Sequence, residues 1–222
     1  MTIHTLLTPD ESVVALIDHQ PQMMFGVASH ERMSIINNAV VLAKAAKLFN
    51  VPVVLTTVAS KTFSGDLLPE IQSVFPDQVP IDRTTMNSWE DPHFKAAIEK
   101  TGRKKIVLAG LWTEVCVAFP AISAILDGYE IYFAADACGD ISVEAHECAI
   151  QRAIQADAVP MTTLQVMFEW QRDWARGATY DGCMEILKAH SAYGIGVRYA
   201  KSILGEHASE AGAQPQLATA LS

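Results

Sequence analysis

The 222-residue chain is 50% apolar and 18% charged, a balance that fits one globular domain of ordinary size and excludes disorder along its length. A net charge of −9 leaves no basic footprint for a phosphate backbone and argues against a nucleic-acid partner. No stretch approaches the ~18 apolar residues of a membrane span, and residues 1–9 lack the cationic start and apolar run of a signal peptide, so a soluble, cytoplasmic protein with no membrane partner is expected.

Taken in chain order, strand-like and helix-like segments alternate. Residues 12–18 form an apolar run ending in an acid, the pattern of a strand covered on both faces. From residue 32 to 50 the period changes: Ile35, Ala39, Leu42, Ala46 and Phe49 make one stripe of an amphipathic helix, with Asn50 as its stop and Pro52 beyond. Residues 51–58 read as a second buried strand. Residues 59–91 are long and carry Gly65, Pro69, Pro76 and Pro80, which predicts a loop plus a short helix crossing the sheet; loops of this length usually serve function or a partner. Arg103-Lys104-Lys105 reads as solvated charge ahead of the next strand. Further strands are predicted at 105–111, 129–135 and 158–163, and helices at about 93–101, 113–127 and 142–157. Strands spaced by helices mean βαβ units with right-handed crossovers, so the predicted fold is a three-layer α/β/α architecture with a mainly parallel sheet. One domain is expected over 1–204. Residues 205–222, rich in Ala, Gly and Gln without an apolar period, are expected to form a flexible tail.

Ligands of open parallel sheets gather outside the carboxyl ends of the strands. Asp18 closes the first strand, Cys116 lies shortly past the third, and Arg83 sits in the long crossover, so the three are candidates for one rim. None of the four cysteines forms a C-x-x-C pair, and all are expected to be free thiols. A thiol of ordinary pKa is only a few per cent thiolate at neutral pH. At a helix start the unpaired N–H groups favour the anion, a guanidinium lowers the thiol further, and a carboxylate takes its proton, so Cys116 is expected to be a depressed, activated thiol. Cys138 follows the fourth strand at another rim position; Cys148 reads as a helix-core residue, and Cys183 has no supporting context. His19, beside Asp18 on the strand, faces the other side and reads as structural, whereas Gln20 points back toward the pocket. Gly194-Ile195-Gly196 lacks the third glycine of a dinucleotide fingerprint and reads as a turn.

The segment Gly110-Leu111-Trp112-Thr113-Glu114-Val115-Cys116-Val117 resembles the signature of the isochorismatase-like cysteine hydrolases, and Ala15-Leu16-Ile17-Asp18-His19-Gln20 extends the likeness. Arg83 followed by Asn87-Ser88-Trp89-Glu90, the run from Glu114 to Pro120, and Arg172-Asp173-Trp174 resemble the YcaC-type branch of that superfamily. The resemblance implies Asp18 as general base, Cys116 as nucleophile, and Arg83 where many relatives carry lysine. Arginine still stabilises an anion but cannot shuttle a proton. It further implies a cis peptide at Leu111–Trp112 and an oxyanion hole built from the backbone N–H groups of Trp112 and Cys116. Gln20, Phe25, Asn87, Trp89, Leu111, Phe119 and Trp170 are candidates for the pocket wall, with core or interface roles as the alternative for the aromatic ones.

Nicotinamidases of similar sequence carry a histidine cluster after the second strand; residues 56–61 have none here, and the seven histidines show no ligand spacing. No metal and no cofactor are expected. The implied activity is acyl transfer on a small-molecule amide or related C–N bond; the alternatives are a vinyl-ether hydrolase, which Cys116 counts against, and a non-catalytic scaffold member. The branch also implies a homo-oligomer, a tetramer or octamer.

Overall fold

Every side chain of β1 (Ser12–Ile17) is buried, as a central strand covered on both faces requires. The computed structural model describes residues 4–204; the tail expected at 205–222 lies outside the described residues. Five further strands complete one parallel sheet: β2 (Val53–Val58), β3 (Ile81–Arg83), β4 (Lys105–Gly110), β5 (Glu130–Ala134) and β6 (Val159–Met161). Their spatial order is β3-β2-β1-β4-β5-β6. The order reverses between β1 and β4, which pair from Ser12 opposite Lys105 to Ile17 opposite Gly110. Such a reversal opens a crevice beyond the carboxyl ends of the two strands. The three-layer α/β/α reading holds.

The helices are α1 (Pro21–Gly26), α2 (Arg32–Leu48), α3 (Pro69–Gln72), α4 (Pro92–Lys100), α5 (Ala118–Leu126), α6 (Val143–Gln155) and α7 (Thr163–Gln171). The predicted stripe of α2 is buried, and the Glu31 carboxylate caps its start by accepting from the N–H groups of Met33 and Ser34. Asn50, the predicted stop, has a left-handed φ of 55°. Asp91 caps α4 in the same way, with Pro92 at the first helical position. Among the described residues no helix is long and apolar enough to cross a membrane.

Several local expectations change. The crossover at 59–91 holds a π-helical turn (Ser60–Ser64), α3 and the edge strand β3, where only a loop and a short helix were expected. Three residues of the sequence Ile-Asp-Arg show too little alternation to announce a strand. The helix expected at 113–127 begins as a π-helical turn (Thr113–Val117) before α5. Cys148 is exposed rather than in the helix core, since α6 buries His146, Ala149 and Ala153 instead.

The chain divides between Trp170 and Gln171 into two compact units. In the second, α8 (Gly177–His190) and α9 (Tyr193–Leu204) pack on each other. The Gln171 amide ties its loop together, donating to the carbonyls of Asp173 (2.9 Å) and Arg176 (3.2 Å) and accepting from the Thr179 hydroxyl (2.5 Å). Gly194-Ile195-Gly196 is the start of α9, not a turn. A Cβ on Gly194 would sit 2.4 Å from the Leu187 carbonyl oxygen, so the glycine permits close approach of α9 to α8.

Close approach also governs the switch point. A Cβ on Gly110 would lie 2.7 Å from the Ile17 carbonyl oxygen and 2.9 Å from Ile17 Cβ. With both strands locked in their ladder, Gly110→Ala is expected to lower the unfolding free energy by about 1–3 kcal/mol. Urea titration reads this as a lower midpoint at unchanged slope, and a variant as stable as the parent contradicts the packing.

Candidate active site

The chain leaves β1 through Asp18 in a left-handed conformation, φ 56°, which residues other than glycine rarely adopt. The Asp18 N–H donates to the Thr56 carbonyl (3.3 Å), and its own carbonyl accepts from the Gln20 N–H (2.8 Å). This turn lays the carboxylate over the end of the sheet. One oxygen, Oδ1, accepts from the Thr56 hydroxyl at 2.8 Å, and Oδ2 accepts from Nη2 of Arg83. Arg83 ends β3, two strands from β1 across roughly 10 Å of sheet, so a long side chain is required. Its other terminal nitrogen, Nη1, donates to the Thr85 carbonyl, and Nε has no partner among the described residues. Neither side chain of the ion pair is exposed.

Cys116 arrives from β4. The Leu111 N–H donates to the Ile17 carbonyl at 3.1 Å, and the Leu111–Trp112 peptide is cis, as the resemblance implied. The Trp112 indole donates to the Met23 carbonyl (2.9 Å), and its ring covers Gly26, where a Cβ would lie 2.8 Å from Cζ2. Thr113 then opens the π turn, with its N–H and hydroxyl 3.0 and 3.1 Å from the Gly139 carbonyl oxygen; the Glu114 N–H donates to Oδ2 of Asp140 at 2.7 Å. These ties bring the Cys116 sulfur beside the Asp18 carboxylate, with the Trp112 backbone N–H also near the sulfur. Asp18, Arg83 and Cys116 therefore meet. Only 4% of Cys116 remains exposed.

The electrostatics differ from the sequence-based expectation. Burial, and after it the charge of Asp18, push the Cys116 thiol well above its ordinary range, while Arg83 and the Trp112 N–H oppose the rise. The thiol is raised, not depressed, because desolvation of the anion outweighs the help of the turn and the guanidinium. Burial likewise raises the Asp18 carboxyl, opposed by Arg83, Cys116 and Thr56. One of the two expected oxyanion donors is also spent: the Cys116 N–H donates to the Trp112 carbonyl at 2.8 Å, four residues back across the start of the turn.

The expected pocket wall is largely used for structure. Gln20 is fully buried; its Oε1 accepts from the Val58 N–H (2.8 Å) and its Nε2 donates to the Gly65 carbonyl (2.5 Å), so it clamps the ends of β1 and β2. Asn87 caps the turn at 88–90 and donates to the Ser123 hydroxyl, and Trp89 is buried against Phe94 and Tyr129 with its indole on Asp127. Trp170 is a core residue on the Ser12 hydroxyl. Phe25 is 80% exposed on α1, Leu111 is buried, and Phe119 is half-buried in the first turn of α5. His19 points away from Asp18, its Nε2 3.0 Å from the Ala137 carbonyl oxygen. Cys138 is buried with its thiol on the Ala134 carbonyl, and Cys183 is buried against Gln171. The sequence reading missed Thr56, Asp140 and His146; Asp140 stands two residues past Cys138 but carried no spacing signal. Among the described residues no group of three or more His, Cys, Asp or Glu side chains is placed to hold a metal ion.

Comparison with known proteins places the chain in a family. The isochorismatase domain family matches residues 12–165. The probable hydrolase YcaC of Escherichia coli is 38% identical over 169 residues, 76% of this chain and 81% of that protein. Its crystal structure, described as an octameric hydrolase of unknown specificity, superposes with a TM-score of 0.86 at 34% identity, covering 92% of this chain and all of that one. YcaC from Pseudomonas aeruginosa, solved with hexane-2,5-diol and covalent acrylamide, gives a TM-score of 0.86 at 30% identity over 91% of this chain and 100% of its own.

Because burial raises the Asp18 carboxyl, acidification neutralises it above its ordinary value of 3.8. Alkylation of Cys116 by iodoacetamide, followed by peptide mass mapping, is expected to decline on acidification with an inflection above that value. Asp18→Asn is expected to lose the inflection; an identical profile in the variant refutes the coupling of the two groups.

Proposed function

We propose that this chain, which belongs to the isochorismatase family of hydrolases, is a cysteine hydrolase that opens a small amide or related C–N bond through an acyl-thioester on Cys116. The observation that carries this reading is the meeting of Asp18, Arg83 and Cys116, from three different strand ends, in one buried, electrostatically coupled group. The substrate is a small molecule.

Each step conserves protons within this group. As the sulfur attacks the carbonyl carbon, the S–H proton passes to the Asp18 carboxylate, the C–S bond forms and the carbonyl electron pair moves to oxygen. The Trp112 N–H and the unpaired Nε–H of Arg83 are the donors at hand for that oxygen. When the carbonyl reforms, the C–N bond breaks and Asp18 returns its proton to the leaving amine. Water then adds to the thioester with Asp18 again as base, releasing the acid and restoring the thiol. Arg83 does not carry protons; it holds Asp18 in place and keeps it available as an anion. The raised thiol fits this scheme, since the sulfur needs its charge only during attack. It equally favours a second reading, a scaffold member that retains the group without turnover.

Intact-mass measurement after exposure to a panel of small amides distinguishes the two. The expected result is an acyl adduct that maps to Cys116, with turnover reduced about 10³-fold or more in Cys116→Ala and Asp18→Asn. Full turnover in Cys116→Ala sinks the mechanism, and the absence of any adduct across the panel favours the scaffold.

The proposal includes a homo-oligomer. The E. coli relative is described as octameric, and α9 of this chain presents Ile195, Tyr199 and Ile203, spaced by one helical turn and 59%, 60% and 76% exposed. Single exposed apolar residues are ordinary, but a stripe of large ones marks a contact surface. Light scattering is expected to return a multiple of 24.1 kDa, reduced by Tyr199→Glu. A particle of monomer mass contradicts it.

A further inference from the structure

We infer that His146 is a positioning residue for the nucleophile, holding the π turn that carries Cys116 through the Thr113 hydroxyl. The inference rests on Cys116 being the reacting group. His146 lies in the first turns of α6, 8% exposed, with Nδ1 2.9 Å from Thr113 Oγ1. That hydroxyl also stands 3.1 Å from the Gly139 carbonyl oxygen. A hydroxyl has one proton to give. With the imidazole proton on Nδ1, all contacts are satisfied in one direction: His146 donates to Thr113, and Thr113 donates to Gly139. The Gly139 carbonyl oxygen, with two lone pairs, also accepts the Thr113 N–H.

The environment keeps this ring neutral. Burial, and after it the nearby His30, hold His146 down to about 4. His30 meets it edge-on, with centroids 4.6 Å apart, and is itself fixed by a 2.9 Å contact between its Nδ1 and the Ser29 hydroxyl. Ser29 accepts from the Asp140 N–H, and Asp140 in turn receives the Glu114 N–H. The first two residues of the π turn are thus held from α6 and from the loop before it.

A π turn needs such a hold. It is rare and short, and it occurs mostly as an insertion at functional sites. The wide bond, from the Ala118 N–H to the Thr113 carbonyl, spans Cys116, so tightening it to the commoner α register would shift Cys116 relative to Asp18 and the Trp112 N–H. Thr113, locked at the start of the turn, opposes that rotation, and His146 supplies the side-chain part of the lock. No contact between His146 and the reacting atoms is required.

The test reads the sulfur directly and needs no substrate. Exposed Cys148 is first replaced by Ser, because it would consume reagent, and iodoacetamide labelling of Cys116 is followed by peptide mass mapping. His146→Leu, which fills the space without a hydrogen bond, is expected to slow labelling about tenfold, the equivalent of roughly 1.4 kcal/mol. His146→Asn places an amide N–H where Nδ1–H stood and is expected to stay within about threefold of the parent. A purely structural role would change melting temperature in both variants without separating their labelling rates. Thr113→Val, close in shape, repeats the Leu effect from the other partner and serves if His146→Leu does not fold. An unchanged or faster rate in His146→Leu or Thr113→Val overturns the inference while leaving Cys116 as nucleophile. A parent protein whose Cys116 resists labelling sinks both.

Discussion

The structure turns on a carboxylate buried without access to water. Asp18 has no exposed surface, and an unpaired charge there would be costly enough to neutralise itself. The fold meets that cost from three directions. Thr56 of the neighbouring strand donates to one oxygen, Arg83 donates to the other from two strands away, and the Cys116 thiol approaches from the opposite side of the switch point. The edge strand β3 is short, yet it has a clear purpose: its register places Val58 opposite Arg83 and carries the guanidinium past the end of β2. A lysine at that position would offer a point charge. Arginine offers a fork, with one nitrogen on Asp18 and one on the Thr85 carbonyl, which fixes the direction of the carboxylate as well as its charge.

The same burial sets the state of the Cys116 thiol. Helix-start geometry and a guanidinium favour a thiolate, whereas desolvation and an adjacent carboxylate oppose it. Here the opposing pair wins, because the sulfur lies in the same water-poor group as Asp18. A resting thiol buried beside a carboxylate is less reactive toward solution reagents than an exposed thiolate. In the proposed reaction it becomes nucleophilic when the proton crosses to Asp18, which already stands beside it. Reactivity is thereby tied to an arrangement of backbone and side chains rather than to a standing charge.

How much of this the sequence disclosed follows from the range of each interaction. The alternation of buried strands and amphipathic helices is local, and β1, β2, β4, β5 and α2 could be read from period alone. Asp18 and Cys116 could be placed because they follow strands whose ends define the rim. β3 escaped because three residues carry no period, and the second unit's helices gave no distinctive pattern. The bonds that occupy Gln20, Asn87 and Trp89 were not legible for a different reason: whether a polar side chain faces a pocket or a neighbouring backbone depends on hydrogen bonds between segments distant in the chain. Thr56, Asp140 and His146 went unseen on the same account. The Cys116 N–H illustrates the limit most sharply, since it donates to the Trp112 carbonyl at 2.8 Å, and nothing in the residue types says whether that amide is spent or free.

Adjacent residues at the end of β1 show how one short segment divides these duties. Asp18 turns toward the reacting group, His19 reaches the Ala137 carbonyl on the far side, and Gln20 closes on Val58 and Gly65. β2 and β3 divide in the same way. Thr56 serves Asp18, while Thr57, on the other face, donates to Asp82 at 2.9 Å. Asp82 also accepts from the Ser60 N–H at 3.1 Å and so anchors the π turn beyond β2, while its neighbour Arg83 faces the site. Strand alternation thus allows one set of side chains to build the chemistry and the interleaved set to hold the loops that surround it. A one-residue slip of β2 or β3 would exchange the two sets, replacing Arg83 with a carboxylate beside Asp18. Two buried carboxylates side by side repel, so the charge pattern itself selects the register that the hydrogen bonds then secure.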